Sequence, residues 1–299
     1  HIIEVDVHDP LGRPIRANLG IIHDGNTAII EMADASGLRL LKPEELDPMK
    51  ASSFGTGELI RKALDLGVKE IFLCMGGSAT VDGGTGILRA LGLRFMNQNG
   101  SSLENLPRGW ESLHSVDFAG LDPRLQKCQI KIHCDVENTL LGDQGAAAVY
   151  GPQKGAGPQQ VHDLDNFLQR FTAITRTEVG VNLSNLPFSG TAGGAAAGLS
   201  AYLNAKLLNG IEHFLALTNF AETLSDSDLL ITGEGALDAQ TLQGKGPLGV
   251  AKVARSFGVP VVALAGKVAF TDLPELRKHF TIVLPIGNQP MSLKESLEL

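Results

Sequence analysis

One segment, residues 228 to 266, constrains the fold of this chain more than any other. Two short apolar runs, Leu229–Thr232 and Val261–Leu264, have the β-branched bias that is typical of buried parallel strands. Between them, apolar residues recur at helical spacing from Pro247 to Phe257; a proline is tolerated in the first turn, and Gly258 is placed to end the helix. The segment therefore predicts a β–loop–α–β unit. In open α/β sheets, ligands bind in such loops, at the carboxyl ends of strands.

The loop of this unit has an unusual density of polar side chains. Within thirteen residues of Gly233 it carries Glu234, Asp238, Gln240, Thr241 and Lys245. Lys245 stands just before the predicted helix, where a cation is unfavourable for the helix dipole unless an anion lies between them. We therefore expect Lys245 to bind a phosphate group, the alternative being the solvated surface position that most lysines occupy.

A second candidate loop, GGSATVDGGTG at Gly76–Gly86, connects a predicted strand at Glu70–Met75 to a short predicted helix at Gly86–Leu91. Its glycines permit a ligand to approach the backbone closely. The start of the helix is expected to offer N–H groups to an anion. The alternative is a strained strand-to-helix turn that binds nothing, because glycine-rich turns are weak motifs. The candidate binding residues are Gly76, Gly77, Ser78, Thr80 and Asp82.

The segment TGEGxxDxQTxxGKxPxGVA at residues 232–251 closely resembles the signature of the bacterial glycerate-2-kinase type of glycerate kinase. Other blocks resemble this family in the same order along nearly the whole chain. They are DPLGRPIRANLGI at Asp9–Ile21, EMADASGL at Glu31–Leu38, SSFGTGELI at Ser52–Ile60, GGSATVDGGTGILRALG at Gly76–Gly92, GLDPRL at Gly120–Leu125, CDVEN at Cys134–Asn138, GPQKGA at Gly151–Ala156 and TAGGAAAGL at Thr191–Leu199.

The resemblance implies phosphoryl transfer from ATP, with Mg²⁺, to a hydroxyl of D-glycerate, with 2-phosphoglycerate as the favoured product. Such a reaction needs carboxylates to hold Mg²⁺ and to accept the hydroxyl proton. Asp135, after the predicted strand Gln129–Cys134, is a candidate for either role or for capping the next turn. We expect Asp135 and Glu234 to hold the metal ion, and Asp135, Asp238 and Lys245 to act in catalysis. Which carboxylate is the base is left open.

The chain departs from the family pattern in several places. The family's usual Asn after SAT is Val81 here, and its usual Arg after GEG is Ala236. The family's APDSFKGSL-like and ADGGEGT blocks, and its last helix, are not found. We expect a chain without that N-terminal segment to be a poor kinase at best.

The patterns along the chain predict an α/β protein of two domains. Residues 1–205 are expected to form an α/β domain with a β-rich start, and residues 206–299 to form part of a Rossmann- or flavodoxin-like parallel-sheet domain. The resemblance implies that the first is inserted into the second. A small-residue helix is predicted at Gly193–Leu203, where Gly193 and Gly194 bind ligand or allow close packing. We expect the loops at Gly76–Gly86 and Gly233–Lys245 to face one cleft.

Composition excludes several classes of function. A net charge of −8 argues against a general nucleic-acid or acidic-membrane surface. None of the eight histidines forms a pair at metal-ligand spacing, so zinc is not expected. Three cysteines and no long apolar run predict a cytoplasmic protein that does not span a membrane. A homodimer is compatible with these features.

Two alternatives to a glycerate kinase remain open at this stage. The first is another enzyme with a nucleotide or sugar-phosphate ligand, either an isomerase or a dehydrogenase; the missing GxGxxG fingerprint argues against an NAD-dependent form. The second is a non-catalytic homologue that binds the ligand, which Val81, Ala236 and the missing blocks favour.

Overall fold

The structure, a computed structural model, describes residues 1–134, 138–238, 241–243, 246–269, 271 and 273–287. The chain divides into two compact units, His1–Leu208 and Asn209–Leu299. The strands are β1 Ile2–His8, β2 Pro14–Ile22, β3 Thr27–Glu31, β4 Glu70–Cys74, β5 Arg94–Met96, β6 Ser115–Asp117, β7 Gln129–Cys134, β8 Lys206–Asn209, β9 Leu230–Leu237, β10 Val261–Val268 and β11 Ile282–Pro285. The α-helices are α1 Met32–Ser36, α2 Phe54–Asp65, α3 Thr85–Ala90, α4 Ala146–Tyr150, α5 Pro158–Val179, α6 Ala195–Leu203, α7 Gly210–Leu217, α8 Phe220–Ser225, α9 Gly246–Ser256 and α10 Leu273–Leu276.

The first unit is built on a six-stranded mixed sheet in the order β1-β2-β3-β4-β7-β8. β1, β2 and β3 are antiparallel neighbours, whereas β3, β4 and β7 run parallel. The alternating sequence of β1 turns Val5 and Val7 inward, while Ile71 and Leu73 of the apolar strand β4 are almost fully buried. The parallel arrangement brings the ends of β3 and β4 to one edge of the sheet, where the glycine-rich loop begins.

The helices of the first unit complete one large core beside this sheet. α2 buries the face that contains Leu59, Ile60 and Ala63, whose spacing places them on one side of the helix. The long helix α5 buries Phe167 and Phe171, and the ring of Phe171 stacks on Tyr202. These contacts fix the elements on which the loop around residues 76–84 rests.

The second unit contains a three-stranded parallel sheet in the order β11-β10-β9, with α9 between β9 and β10 in the chain. The predicted β–loop–α–β unit is therefore confirmed. Its first strand is longer than predicted, because pairing with β10 continues to Leu237, opposite Val268. Glu234 consequently lies on the strand, and its earlier placement in the loop was wrong. Leu237 and Val268 are both buried, so continued pairing removes apolar surface from water.

Most element predictions agree with the structure, including the strand Gln129–Cys134 and the small-residue helix that ends at Leu203. The two-stranded sheet of β5 and β6 was not predicted, because each strand has three residues and shows little alternation. Among the described residues, no helix is long and apolar enough to cross a membrane.

Gly193 tests how tightly the loop packs on the turn before α6. Its φ is +67°, and a Cβ there would lie 2.3 Å from the Thr80 carbonyl oxygen and 2.5 Å from Val81 Cα. We expect Gly193→Ala to lower the free energy of unfolding by about 2 kcal/mol or more, since the φ and the contact are both unfavourable. For a unit of this size the melting temperature should fall by about 4 °C or more.

Gly157→Ala is the matched control, because a Cβ at Gly157 meets nothing within 4 Å and its φ is −75°. Thermal melting of both variants checks the prediction. Equal melting temperatures for the two would show that the backbone contact at Gly193 is relieved at no cost.

Candidate functional site

The first unit contains two adjoining cavities at the carboxyl ends of β3 and β4. The smaller has a volume of about 130 Å³ and the larger about 500 Å³. Both are bordered by Leu38, Gly76 and Gly77. The smaller cavity is also lined by Met75, Ser78, Tyr150, Gln153, Lys154, Thr191 and Ala192, and the larger by Glu31, Ala33, Arg39 and Cys74. Three of the predicted binding residues, Gly76, Gly77 and Ser78, therefore lie at the wall of a cavity.

Asp82 determines the shape of the glycine-rich loop, defined here as residues 76–84. Its side chain is fully buried. Oδ2 accepts hydrogen bonds from Ser53 N at 2.9 Å, Ser53 Oγ at 2.7 Å and Gly86 N at 3.2 Å, and Oδ1 accepts one from Gly84 N at 3.0 Å. A carboxylate bonded in this way holds the loop in place. Its direct contact with a ligand stays a prediction.

The start of α3 does not offer its N–H groups to an anion as the sequence suggested. Gly84 N and Gly86 N donate to the Asp82 carboxylate, Thr85 N donates to the Asp82 carbonyl, and Ile87 N donates to Ser53 Oγ. That expectation was wrong, because side chains of the protein itself cap this helix.

Lys154 is the functional candidate that sequence reasoning missed. It ends the short 3₁₀ helix Pro152–Lys154, yet its side chain is only 3% exposed. Lys154 Nζ donates to Ser78 Oγ at 2.9 Å and to the Thr80 carbonyl oxygen at 2.7 Å. The block GPQKGA pointed to this region, because it resembles the family. A Gly-Pro-Gln-Lys-Gly sequence, however, is typical of a surface turn, and no local pattern shows that its lysine is buried.

Thr80 belongs to the glycine-rich loop and is completely buried. Its hydroxyl oxygen has no hydrogen-bond partner within the part of the chain that the structure describes. A buried hydroxyl without a partner costs free energy. The Thr80 hydroxyl can therefore still form a hydrogen bond, and its contact with a ligand stays a prediction.

Gly193 and Gly194 pack against the glycine-rich loop. Gly83 N donates to the Gly193 carbonyl oxygen at 3.0 Å. A Cβ on Gly194 would meet Leu140 Cδ1 at 2.8 Å. Of the two roles predicted for these glycines, the structure provides direct contacts for packing, and ligand binding stays a prediction.

A second group of predicted residues comes together in the second unit, at the carboxyl end of β9. Thr241 Oγ1 donates to Glu234 Oε2 at 3.2 Å, and Asp238 N donates to Thr241 Oγ1 at 3.2 Å. Thr241 N also donates to Asp238 Oδ1 at 3.3 Å. Thr241 is completely buried, and its hydrogen bonds connect Glu234 to Asp238.

Three predicted residues, Asp135, Gln240 and Lys245, lie outside the described residues. The roles assigned to them stay predictions. Within the described residues, no group of three or more His, Cys, Asp or Glu side chains could hold a metal ion.

The two departures from the family pattern have simple structural settings. Val81 is completely buried in the core of the first unit. Ala236, where the family usually has Arg, is paired in the parallel sheet with Lys267 of β10. A lysine therefore stands on the neighbouring strand opposite this position.

Comparison with known proteins identifies the family. The model of the glycerate kinase family matches residues 1–299. The chain belongs to the glycerate kinase family. It is 46% identical to a glycerate kinase of Halalkalibacterium halodurans, over 88% of this chain and 70% of that protein. It is 42% identical to the glycerate 2-kinase of Escherichia coli, over 94% of this chain and 75% of that protein.

Structural comparison agrees with this assignment. A crystal structure of a Salmonella typhimurium LT2 protein assigned as a glycerate kinase 2 superimposes with a TM-score of 0.80 and 41% identity, covering 100% of this chain and 78% of that one. Membership of the glycerate kinase family, with the α/β fold of that structure, makes this protein a kinase and excludes the isomerase and dehydrogenase alternatives.

Burial changes the acid–base behaviour of Lys154. Desolvation lowers the pKa of its ammonium to about 7, although the negative charge of Asp82 acts in the opposite direction. In the unfolded chain a lysine titrates near 10.4. Between these two values the unfolded state binds more protons, so the stability that Lys154 contributes is complete above the unfolded pKa and is lost as the pH falls toward 7.

We therefore expect the free energy of unfolding of the wild type, minus that of Lys154→Met, to rise between pH 7 and pH 9. The slope should approach about 1.4 kcal/mol per pH unit. Urea unfolding of both proteins at several pH values measures this difference. Lys127→Met, the same substitution at an exposed lysine of the same unit, is measured in parallel as the control. A flat profile for Lys154→Met would contradict the lowered pKa of this lysine.

Proposed function

We propose that this glycerate kinase family member transfers the γ-phosphoryl group of ATP, with Mg²⁺, to a hydroxyl of D-glycerate. The favoured product is 2-phosphoglycerate. The names of its relatives support this proposal, since the Escherichia coli protein is a glycerate 2-kinase and the Halalkalibacterium halodurans protein is a glycerate kinase. The proposed compartment is the cytoplasm, where ATP is available.

One observation carries the proposal: Glu234, Asp238 and Thr241 converge at the carboxyl end of the parallel strand β9. This edge of an open parallel sheet is where ligands of α/β enzymes bind. Phosphoryl transfer uses one carboxylate to hold Mg²⁺ and another to accept the proton of the attacking hydroxyl. Glu234 and Asp238 can supply these carboxylates, and the Thr241 hydroxyl positions them.

The donor set fits Mg²⁺. This ion prefers oxygen ligands and usually takes only one or two carboxylates, because waters and phosphate oxygens complete its coordination. Glu234 is the described carboxylate proposed to hold the ion, and Asp135, the other predicted ligand, lies outside the described residues. When bound, Mg²⁺ would neutralise charge on the β- and γ-phosphate oxygens.

The chemical step needs alignment more than covalent assistance from the protein. The acceptor hydroxyl oxygen forms a bond to the γ-phosphorus as the bond to the β,γ-bridging oxygen breaks, and ADP leaves. The hydroxyl proton passes to a carboxylate, for which Asp238 and Asp135 are the candidates. In this scheme Thr241 is a positioning residue, because its hydroxyl links Glu234 to the backbone of Asp238.

We expect Glu234→Gln to lower kcat/KM for ATP-dependent phosphorylation of glycerate by about 100-fold or more, because the loss of one charged group in a transfer site costs several kcal/mol. The melting temperature should change little, since Glu234 is partly exposed. A coupled assay of ADP release, with glycerate and Mg²⁺ varied separately, measures the effect.

Glu222→Gln is the matched control, because Glu222 is an exposed residue of α8 in the same unit. It should retain wild-type activity. An unchanged kcat/KM for Glu234→Gln would remove this carboxylate from the site. Phosphorus NMR of the product distinguishes 2-phosphoglycerate from its 3-isomer, and the 3-isomer alone would contradict the favoured product.

A further inference from the structure

Lys154 is one of the residues that line the 130 Å³ cavity, and only 3% of it is exposed to solvent. A lysine ammonium has three N–H donors. Ser78 Oγ and the Thr80 carbonyl oxygen accept two of them. Within the described part of the chain no acceptor for the third donor is found, so this donor is available to a molecule in the cavity.

The charge of Lys154 has no carboxylate in contact with it among the described residues. Asp82 is the acidic side chain that acts on it, but both Asp82 oxygens accept hydrogen bonds from Ser53, Gly84 and Gly86. A buried ammonium without a paired anion is costly. An anionic group in the cavity would offset that cost by pairing with it.

The size and lining of the cavity restrict the ligand. The cavity has a volume of about 130 Å³, room for a small organic acid. Leu38 and Met75 provide apolar walls, while Ser78 and Tyr150 carry hydroxyl groups. A short hydroxy acid has the matching features: a carboxylate, a small carbon chain and hydroxyl groups.

We propose that this cavity is the acceptor subsite, in which the Lys154 ammonium pairs with the carboxylate of a short hydroxy acid. The inference rests on the proposed function, because it assigns the acid as the phosphoryl acceptor. The carboxylate is bound on the Lys154 side of the glycine-rich loop.

Lys154→Met tests the ion pair while retaining most of the length of the side chain. Direct binding of D-glycerate is measured by calorimetry without nucleotide, and initial rates are measured with glycerate and ATP varied in turn. We expect Kd and KM for glycerate to rise by about tenfold or more, because a charge-assisted hydrogen bond is lost. KM for ATP should stay within about twofold. The value of kcat should fall much less than kcat/KM for glycerate, because the ion pair is present both in the bound substrate and in the transition state.

Two further variants separate binding from a merely structural role. Lys154→Arg keeps the charge and should recover part of the glycerate affinity. Lys127→Met makes the same substitution at an exposed lysine of the same unit and should behave as wild type. The preference for glycerate over uncharged glycerol should fall in Lys154→Met and not in Lys127→Met.

A measurement on the wild type keeps the test decisive if the Lys154 variants do not fold. Because the ammonium has a pKa of about 7, glycerate binding at pH 8 should take up close to one proton, seen as a binding enthalpy that depends on the buffer. Tyr150 also borders the cavity, but burial raises its pKa, so it stays protonated at this pH. Asp82 is the other charged group that faces Lys154 among the described residues.

The outcomes distinguish this inference from the proposed function. Glycerate binding that depends on Lys154, without phosphoryl transfer by the wild type, would support the subsite and overturn the kinase reaction. Phosphoryl transfer with an unchanged KM for glycerate in Lys154→Met would support the reaction and overturn the subsite. No glycerate binding by the wild type, or binding without proton uptake, would also overturn the subsite.

Discussion

The hydrogen bonds accepted by the buried carboxylate of Asp82 are the interaction on which the rest of the site depends. They join the residue before α2, Ser53, to Gly84 and Gly86 at the start of α3. Two helices and the glycine-rich loop are thereby fixed to one side chain in the core of the first unit. Because several donors would lose their partner together, this carboxylate is worth more to the fold than a single hydrogen bond would suggest. The cavity beside the loop keeps its shape for the same reason.

Lys154 shows the opposite balance of charge and hydrogen bonding. The desolvation of its ammonium outweighs the attraction of Asp82, and the side chain keeps one N–H donor for which the described residues supply no acceptor. Burial that lowers the pKa of a lysine to about 7 makes both its protonation states accessible near neutral pH. Perturbed groups of this kind, beside a cavity, are more frequent in functional sites than elsewhere.

The two units contribute different chemistry to the proposed reaction. The first supplies a cation, hydroxyl groups and a small cavity around the glycine-rich loop. The second supplies carboxylates linked by Thr241 at the end of a parallel strand. In general, phosphoryl transfer needs cations that screen phosphate charge and a carboxylate that accepts the hydroxyl proton.

What the sequence by itself determined is the set of elements with a clear apolar spacing or clear turn residues. They are the β–α–β unit, the strand at Gln129–Cys134, the small-residue helix that ends at Leu203, and the glycine-rich loop. Local spacing specifies these, since one side of each strand or helix must face the core. It also placed Glu234, Asp238 and Thr241 near one another, because they are close in the chain.

Only the tertiary structure decided the occupation of the α3 N–H groups, the extension of β9 through Glu234, and the burial of Lys154. Each depends on partners far away in the chain: Ser53 for α3, Val268 for β9, and Ser78 and Thr80 for Lys154. A lysine in the sequence Gly-Pro-Gln-Lys-Gly has the local pattern of a surface turn. It becomes a buried cation because the packing of the first unit brings residue 154 against residues 78 and 80, and no local pattern contains that distance.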